Sequence, residues 1–129
     1  MTVRHAAERG SAPVEFILVG LLLSALTLAV LQFGLAAYTR NVVQDAAVEA
    51  AFHAGLADTS DADAEQRARD VVTRALGRDV VDRAFITPST HAGVRLVSVE
   101  LAATYPLVGL FGIPAGSLVS ARAPVEIVG

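Results

Sequence analysis

An uninterrupted apolar segment near the N-terminus dominates the hydrophobic pattern of the chain. Residues 16 to 39 form a run of 24 residues without a charged side chain. At about 1.5 Å per residue, a helix of that length spans about 36 Å, which exceeds the roughly 30 Å of a bilayer core. The run is also too long for the apolar core of a secretory signal peptide, which has about 7 to 15 residues. The pattern therefore predicts one transmembrane helix.

Helical spacing of apolar residues continues beyond this run. The apolar stripe that follows consists of Thr39, Val43, Ala46, Ala47, Ala50 and Ala54. We expect a single helix from about Val14 to Ala57, roughly 65 Å long, whose outer half buries this stripe. The stripe packs either against the protein's own head or against neighbouring subunits.

A second, shorter helix is predicted over residues 62 to 76. Ser60 or Asp61 can cap its N-terminus, and Gly77 ends it. Its apolar stripe consists of Ala64, Ala68, Val71, Val72 and Ala75. The acidic residues around its start, Asp58, Asp61, Asp63 and Glu65, lack the glycine and the final glutamate of a calcium-binding EF-hand loop. Helix capping is therefore the favoured interpretation, and no metal site is predicted.

Apolar residues alternate with period two in the C-terminal half, which predicts strands. A short strand over residues 84 to 87 is followed by stronger ones over Val94–Tyr105 and Leu118–Val128. Pro124 indicates that the last strand lies at a sheet edge. The positions expected to face the core are Val97, Val99, Leu101, Ala103 and Tyr105 in one strand, and Val119, Ala121, Ala123, Val125 and Ile127 in the other. The apolar segment 107 to 113 between these strands either covers the small core or forms an exposed patch.

Composition narrows the fold class and the classes of function. The 129 residues are 53% apolar, with a mean hydropathy of +0.54 and a net charge of −3. After Tyr38, 129 − 38 = 91 residues remain, which allow one small domain. The ten basic residues are all arginine and form no cluster, so no nucleic-acid partner is expected. We expect an α+β protein: a long N-terminal helix followed by a small extracytoplasmic head of one helix and an antiparallel sheet.

The residues that flank the apolar run predict its orientation. Arg4, Arg9 and the terminal amine precede it, whereas only Arg40 follows closely, so the N-terminus is expected in the cytoplasm. Glu15 directly precedes the run, and we expect its carboxylate to lie at the membrane interface or to have a partner. Pro13 disfavours helix at the preceding residue, so the segment 10 to 12 is expected to be extended and accessible.

One face of the apolar run carries small residues, and the rest of the chain carries no catalytic motif. Gly20, Ser24, Thr27 and Gly34 share this face, where they either admit a second helix or reflect ordinary membrane-helix composition. The chain's three histidines, His5, His53 and His91, lack metal-ligand spacing. No serine lies in a nucleophile elbow, no phosphate-binding loop is present, and the chain has no cysteine. We therefore expect no enzyme activity and no cofactor.

The N-terminal residues resemble a known family of pilus proteins. Gly10, followed by four residues and then by Glu15 and Phe16 at the start of a long apolar helix, looks like the processing site of type IV prepilins and pseudopilins. The stretch RGSAPVEF of residues 9 to 16, followed by QFG at 32 to 34 and YTRNVVQDAA at 38 to 47, is similar to TadE-like proteins. These are minor pseudopilins of the tight-adherence (Tad, Flp) pilus system.

The resemblance implies a processing event and a role for one carboxylate. A prepilin peptidase would cut between Gly10 and Ser11, leaving 129 − 10 = 119 residues. Glu15 would become the fifth mature residue, followed by Phe16, and its carboxylate would pair with the free amine of a neighbouring subunit to set subunit register. The other implied partners are Flp pilin, further minor pseudopilins, the inner-membrane assembly platform and the lipid bilayer.

These observations divide the chain into four parts and leave more than one function open. The expected parts are a cytoplasmic leader (1–10), a transmembrane helix (11–39), an amphipathic extension (40–57) and an extracytoplasmic α+β head (58–129). The favoured hypothesis is a TadE-like minor pseudopilin of the cytoplasmic membrane that acts in pilus assembly. The alternatives are a single-pass receptor or binding subunit with an intact N-terminus and an anchored enzyme.

Overall fold

The protein has an α+β fold that begins with a long apolar helix, as the sequence predicts. This computed structural model describes residues 11–56, 58–105 and 115–125. The elements in chain order are α1 (Ser11–Ala54), α2 (Asp61–Leu76), β1 (Val81–His91), β2 (Val94–Tyr105) and β3 (Ala115–Pro124). The chain divides into two compact units, which meet within α1 between Gly34 and Leu35.

The first unit holds the apolar part of α1. This part is long and apolar enough to cross a membrane, and none of its most apolar stretch is buried. The core helix of a soluble protein would bury such side chains, whereas here large residues such as Phe16 and Phe33 stay exposed. The helix therefore fits a membrane anchor, in which lipid would cover these side chains.

The second unit buries the outer half of α1 against its own elements. The buried face of α1 consists of Thr39, Val42, Val43, Ala46, Ala47, Ala50 and Ala51. The apolar members of this face belong to one hydrophobic cluster with residues of α2 and the sheet. The stripe predicted from sequence thus packs within the chain itself rather than requiring a neighbour.

Helix α2 has caps at both ends that explain its bounds. The Ser60 hydroxyl accepts the backbone N–H of Asp63 at 3.2 Å, while the Asp63 carboxylate accepts the backbone N–H of Ser60 at 3.2 Å. This reciprocal capping box satisfies two N–H groups at the helix start. Gly77 ends the helix with φ +71°, a left-handed conformation that favours glycine. The cap predicted at Ser60 or Asp61 is thus Ser60.

Three antiparallel strands form a sheet in the order β1-β2-β3. Strand β1 is longer than the predicted 84 to 87 because its outer half pairs with β2 through a tight hairpin. The two residues of the turn, Ala92 and Gly93, have φ values of 51° and 80°. Positive φ at both turn residues matches the right-handed twist of paired strands.

The inner face of the sheet follows the predicted alternation. Its buried residues on β2 and β3 are Val97, Val99, Leu101, Ala103, Val119, Ala121 and Ala123. Pro124 lies on the edge strand β3, as predicted. The side chain of Tyr105, residue Ile127 and the apolar segment 107 to 113 lie outside the described residues.

Two prolines and two side chains occupy the free edges of this sheet. The Val125 N–H donates to Arg95 O at 2.9 Å, so Val125 and Arg95 form a hydrogen-bonded pair. Because hydrogen-bonded and non-hydrogen-bonded pairs alternate along antiparallel strands, the next pair, Leu96 and Pro124, has no hydrogen bonds between its two members. The nitrogen of Pro124 therefore points to the outer edge of the sheet. The same alternation turns the nitrogen of Pro88 to the outer edge of β1. Gln44 Nε2 donates to the outward carbonyl of Ser120 at 3.2 Å, and Arg69 Nη1 donates to that of Val81 at 2.6 Å.

Two details of the helices differ from the prediction. Helix α1 spans Ser11 to Ala54 rather than about 14 to 57, and Gly55, whose N–H donates to Ala51 O at 3.0 Å, follows its last turn. The predicted stripe of α2 includes Ala75, which is exposed; the buried residues of α2 are Ala64, Ala68 and Val72, and the partly buried Val71 and Leu76 also pack against the core.

Candidate functional site

The predicted processing site lies at the start of α1. Gly10 is outside the described residues, whereas Ser11 and Ala12 are helical. The expectation of an extended backbone is therefore wrong for Ser11 and Ala12. A proline disfavours helix at the residue before it without forbidding it, and here the helix includes that residue.

Glu15 has a hydrogen-bond partner in its own chain. The Ser11 hydroxyl donates to Glu15 Oε1 at 2.5 Å, one helical turn away. Both residues are exposed, and the following Phe16 keeps 80% of its surface accessible. Whether Glu15 sets subunit register stays a prediction.

The small-residue face of α1 is open along its length. Among the described residues, no side-chain or remote backbone atom lies within 4 Å of where a Cβ would stand at Gly20 or Gly34. The hydroxyls of Ser24 and Thr27 donate to the carbonyls of Gly20 and Leu23, each at 2.8 Å. Because both hydroxyls find partners within the helix, this face can lie in lipid or against another helix without an unsatisfied donor.

Polar contacts in the second unit fasten α2 to its neighbours. Arg67 bridges to Glu49 of α1, with its Nε 2.8 Å from Glu49 Oε1. Arg69 bonds Glu65 at 2.8 Å and Asp79 at 2.6 Å. Arg69 donates these hydrogen bonds, and they raise the pKa of its guanidinium, the one to Glu65 having the larger effect and the one to Asp79 the next. The sequence prediction missed these pairs, although the four-residue spacing of Glu65 and Arg69 could have indicated one.

Among the acidic residues near the start of α2, Asp63 takes part in the helix cap. The hydrogen bond from the Ser60 hydroxyl, followed by that from its N–H, lowers the pKa of Asp63. His53 and Asp70 line the same shallow polar groove of about 450 Å³ as Asp63. In residues 11–56, 58–105 and 115–125, no three acidic or histidine side chains are grouped so that they could hold a metal ion.

The fold and the comparisons together identify the kind of protein. A long, exposed apolar helix near the N-terminus fits a membrane anchor. Residues 10–51 match the family model described as TadE-like protein, which confirms the resemblance over the segment that carries it. No curated protein and no solved structure matches the chain. The family match and the apolar helix support a membrane protein associated with a Tad pilus.

Proposed function

We propose that this protein is a minor pseudopilin that acts in assembly of a Tad/Flp pilus after a prepilin peptidase cuts it between Gly10 and Ser11. The observation that supports the proposal is the match of residues 10–51 to the TadE-like family model, which covers the apolar part of α1 and the motif from Gly10 to Phe16.

Glu15 is the residue we assign to contact between subunits. After cleavage it is the fifth residue of the mature chain, and its exposed carboxylate lies near the new amine of Ser11 and within reach of neighbouring subunits. An ion pair in the low dielectric of a membrane is stable only with good geometry, so it favours one register between helices. The face formed by Gly20, Ser24, Thr27 and Gly34 would allow a second helix to approach closely.

The remaining parts of the proposal follow from the flanking charges and missing motifs of the sequence and, for the pilus partners, from the family resemblance. The N-terminus faces the cytoplasm, the second unit lies outside it, and the protein contacts Flp pilin, other minor pseudopilins and the inner-membrane platform. Its role is structural, without catalysis, a cofactor or a nucleic-acid partner. The match of residues 10–51 supports association with pilus components in general.

Intact-mass measurement of the protein from native membranes tests the processing step. In cells with active prepilin peptidase, we expect a chain that begins at Ser11; in cells without the peptidase, we expect the leader to remain. Replacing Gly10 with a bulky residue is expected to block cleavage, whereas Glu8→Ala in the leader is the matched control. A full-length chain in cells with active peptidase would contradict the proposal and favour the membrane-anchored receptor.

Variants at Glu15 separate processing from assembly. Glu15→Ala and the isosteric Glu15→Gln are both expected to be cleaved but to reduce piliation, because neither keeps the charge that pairs with an amine. Leu22→Ala, at an exposed position on the opposite side of the helix from the small-residue face, serves as the control. Normal piliation with Glu15→Gln would refute the role of the charge.

A further inference from the structure

The apolar run of α1 and the folded second unit share residues. The run without a charged side chain ends at Thr39, whereas the second unit begins at Leu35. Thr39 is already buried, with 6% of its surface exposed, so packing within the second unit starts before the run ends. No polar linker separates the two. With α1 as a membrane anchor, the second unit therefore begins at the bilayer surface.

Contacts of α1 with β3 show which end of the sheet lies at this level. Gln44 Nε2 donates to Ser120 O at 3.2 Å, and Gly55 lies against Pro124. The chain rises about 16 Å from residue 44 to residue 55, and β3 advances about 13 Å from residue 120 to residue 124, so helix and strand run nearly side by side. Leu118, two residues before Ser120, lies about 6.6 Å back along the strand, level with the end of the apolar run.

Large apolar side chains at this level are exposed. Leu118 keeps 70% of its surface accessible and lies on the outer face of the sheet, since its neighbour Val119 is buried. On α1, Tyr38 keeps 51% of its surface accessible. Tyrosine is enriched where lipid headgroups meet water, and contact with lipid removes an aliphatic side chain from water. Both side chains therefore suit contact with a bilayer surface.

The connection from α2 to β1 brings an arginine to the same end of the sheet. The Thr104 N–H donates to Val80 O at 3.1 Å, and Thr104 pairs with Gly116, so Val80 lies at the end where β3 begins. Arg78 precedes Val80 by two residues and is exposed. Arg78 thus lies at the end of the sheet that is level with the apolar run, opposite to the β1–β2 hairpin.

The charges at this end suit an anionic lipid surface. Arg40 and Arg78 are exposed, and neither forms an ion pair within the described part of the chain. The nearby carboxylates are occupied, because Asp79 has an ion-pair partner and Asp82 accepts a hydroxyl hydrogen bond at 2.5 Å. An arginine binds phosphate oxygens through paired hydrogen bonds while its methylene stem packs on apolar neighbours.

We infer that this end of the second unit rests on the lipid surface, with Leu118 among the headgroups and with Arg40 and Arg78 bound to lipid phosphates. The inference rests on the membrane anchor of the proposed function and not on cleavage or pilus assembly.

Site-specific fluorescence tests this inference, since the chain has no cysteine of its own. Leu118→Cys and Arg122→Cys each receive a fluorescent label; the two positions share a strand and a face and lie about 13 Å apart. The full chain is reconstituted in phosphatidylglycerol vesicles that contain nitroxide lipids. We expect the lipids to quench the label at position 118 at least threefold more than that at 122, and aqueous iodide to show the reverse order. Equal lipid quenching would overturn the inference.

A label in the apolar run separates failure of this inference from failure of the anchor. We expect strong quenching by nitroxide lipids for Leu23→Cys, at an exposed position of the run. Its absence would refute the anchor and the inference with it, whereas quenching at position 23 without quenching at 118 would overturn the inference alone. Protection of position 118 from iodide without lipid quenching, lost at one chain per vesicle, would show that a second copy covers Leu118 and would also overturn it.

Variants of the arginines test the contact with phosphate. Arg78→Gln is expected to lower the lipid quenching of the label at position 118 at least twofold. Arg74→Gln is the matched control, because Arg74 is exposed one helical turn earlier, farther from this end of the sheet. Unchanged quenching with Arg78→Gln would refute the phosphate contact.

Discussion

Gly55, which follows the last residue of α1, lies so close to Pro124 at the end of β3 that no side chain fits at position 55. A Cβ atom at Gly55 would lie 2.6 Å from the carbonyl oxygen of Pro124 and 3.3 Å from that of Phe52. Ordinary van der Waals contact begins at 3.4 Å, so the first distance is short by 3.4 − 2.6 = 0.8 Å. Gly55→Ala therefore forces the helix end and the edge strand apart.

The overlap between the added Cβ and the carbonyl oxygen of Pro124 determines the expected loss of stability. Pro124 O is a backbone atom, so it cannot turn aside as the end of a flexible side chain would. Overpacking of this kind costs about 1–3 kcal/mol. For the second unit, Leu35–Gly129, each 1 kcal/mol corresponds to roughly 4–8 °C in the unfolding midpoint. A loss of about 2 kcal/mol thus lowers the midpoint by roughly 8–16 °C.

Thermal unfolding of the full chain in detergent, followed by circular dichroism, measures this loss. Gly116→Ala is the matched control, because a Cβ at Gly116 in β3 meets no atom within 4 Å. We expect the control to change stability by less than about 0.5 kcal/mol. An unchanged midpoint for Gly55→Ala would refute the close contact between Gly55 and Pro124.

Three more predictions concern the turn, the cap and the core of the second unit. Ala92→Asn is expected to stabilise it by up to about 1 kcal/mol in thermal unfolding, because asparagine tolerates the positive φ of this turn better than alanine; a lower midpoint would contradict the turn geometry. Ser60→Ala is expected to cost about 1 kcal/mol at neutral pH. The folded-state pKa of Asp63 is lowered, so the contribution of its carboxylate to stability is present above the ordinary pKa and is lost as pH falls through the lowered value. The stability difference between Ser60→Ala and the parent should therefore shrink in acid. A constant difference in unfolding scans from pH 7 to 2 would argue against the cap. Leu101→Ala, at a fully buried position, is expected to cost about 2–5 kcal/mol by the same assay, and a loss below 1 kcal/mol would show that the cluster can collapse around it.

The parts of the fold that local signals specify were predictable from sequence. Ser60 and Gly77 bound α2 through caps that depend only on neighbouring residues. The alternation in β2 likewise gave the correct inner face. The outer half of β1 was not predictable, because its residues are all exposed and Pro88 interrupts the strand pattern; pairing with β2, rather than burial, holds it in place.

The candidate site was predictable only where a motif carries it. The stretch from Gly10 to Phe16 suggested a pilus protein, and the family match agrees over that segment. The bridge between Arg67 and Glu49 joins residues 18 positions apart on different helices, so no local spacing could have revealed it. Likewise, the closeness of Gly55 to Pro124 depends on how α1 ends against the sheet and has no signature in sequence.

The protected edges of the sheet bear on how copies of this protein can meet. Pro88 and Pro124 offer no N–H at the two outer edges, and Gln44 and Arg69 occupy outward carbonyls there. Pairing between the edges of two sheets uses backbone groups and depends little on side chains. Exposed edges on crowded proteins would therefore pair non-specifically. Where a proline or an occupied carbonyl interrupts an edge, backbone pairing with another sheet is obstructed, so recognition between copies would fall to helix surfaces and sheet faces, where side chains must match. In the pilus role proposed above, such a subunit would be concentrated in the membrane before assembly and would join only the neighbours that fit it.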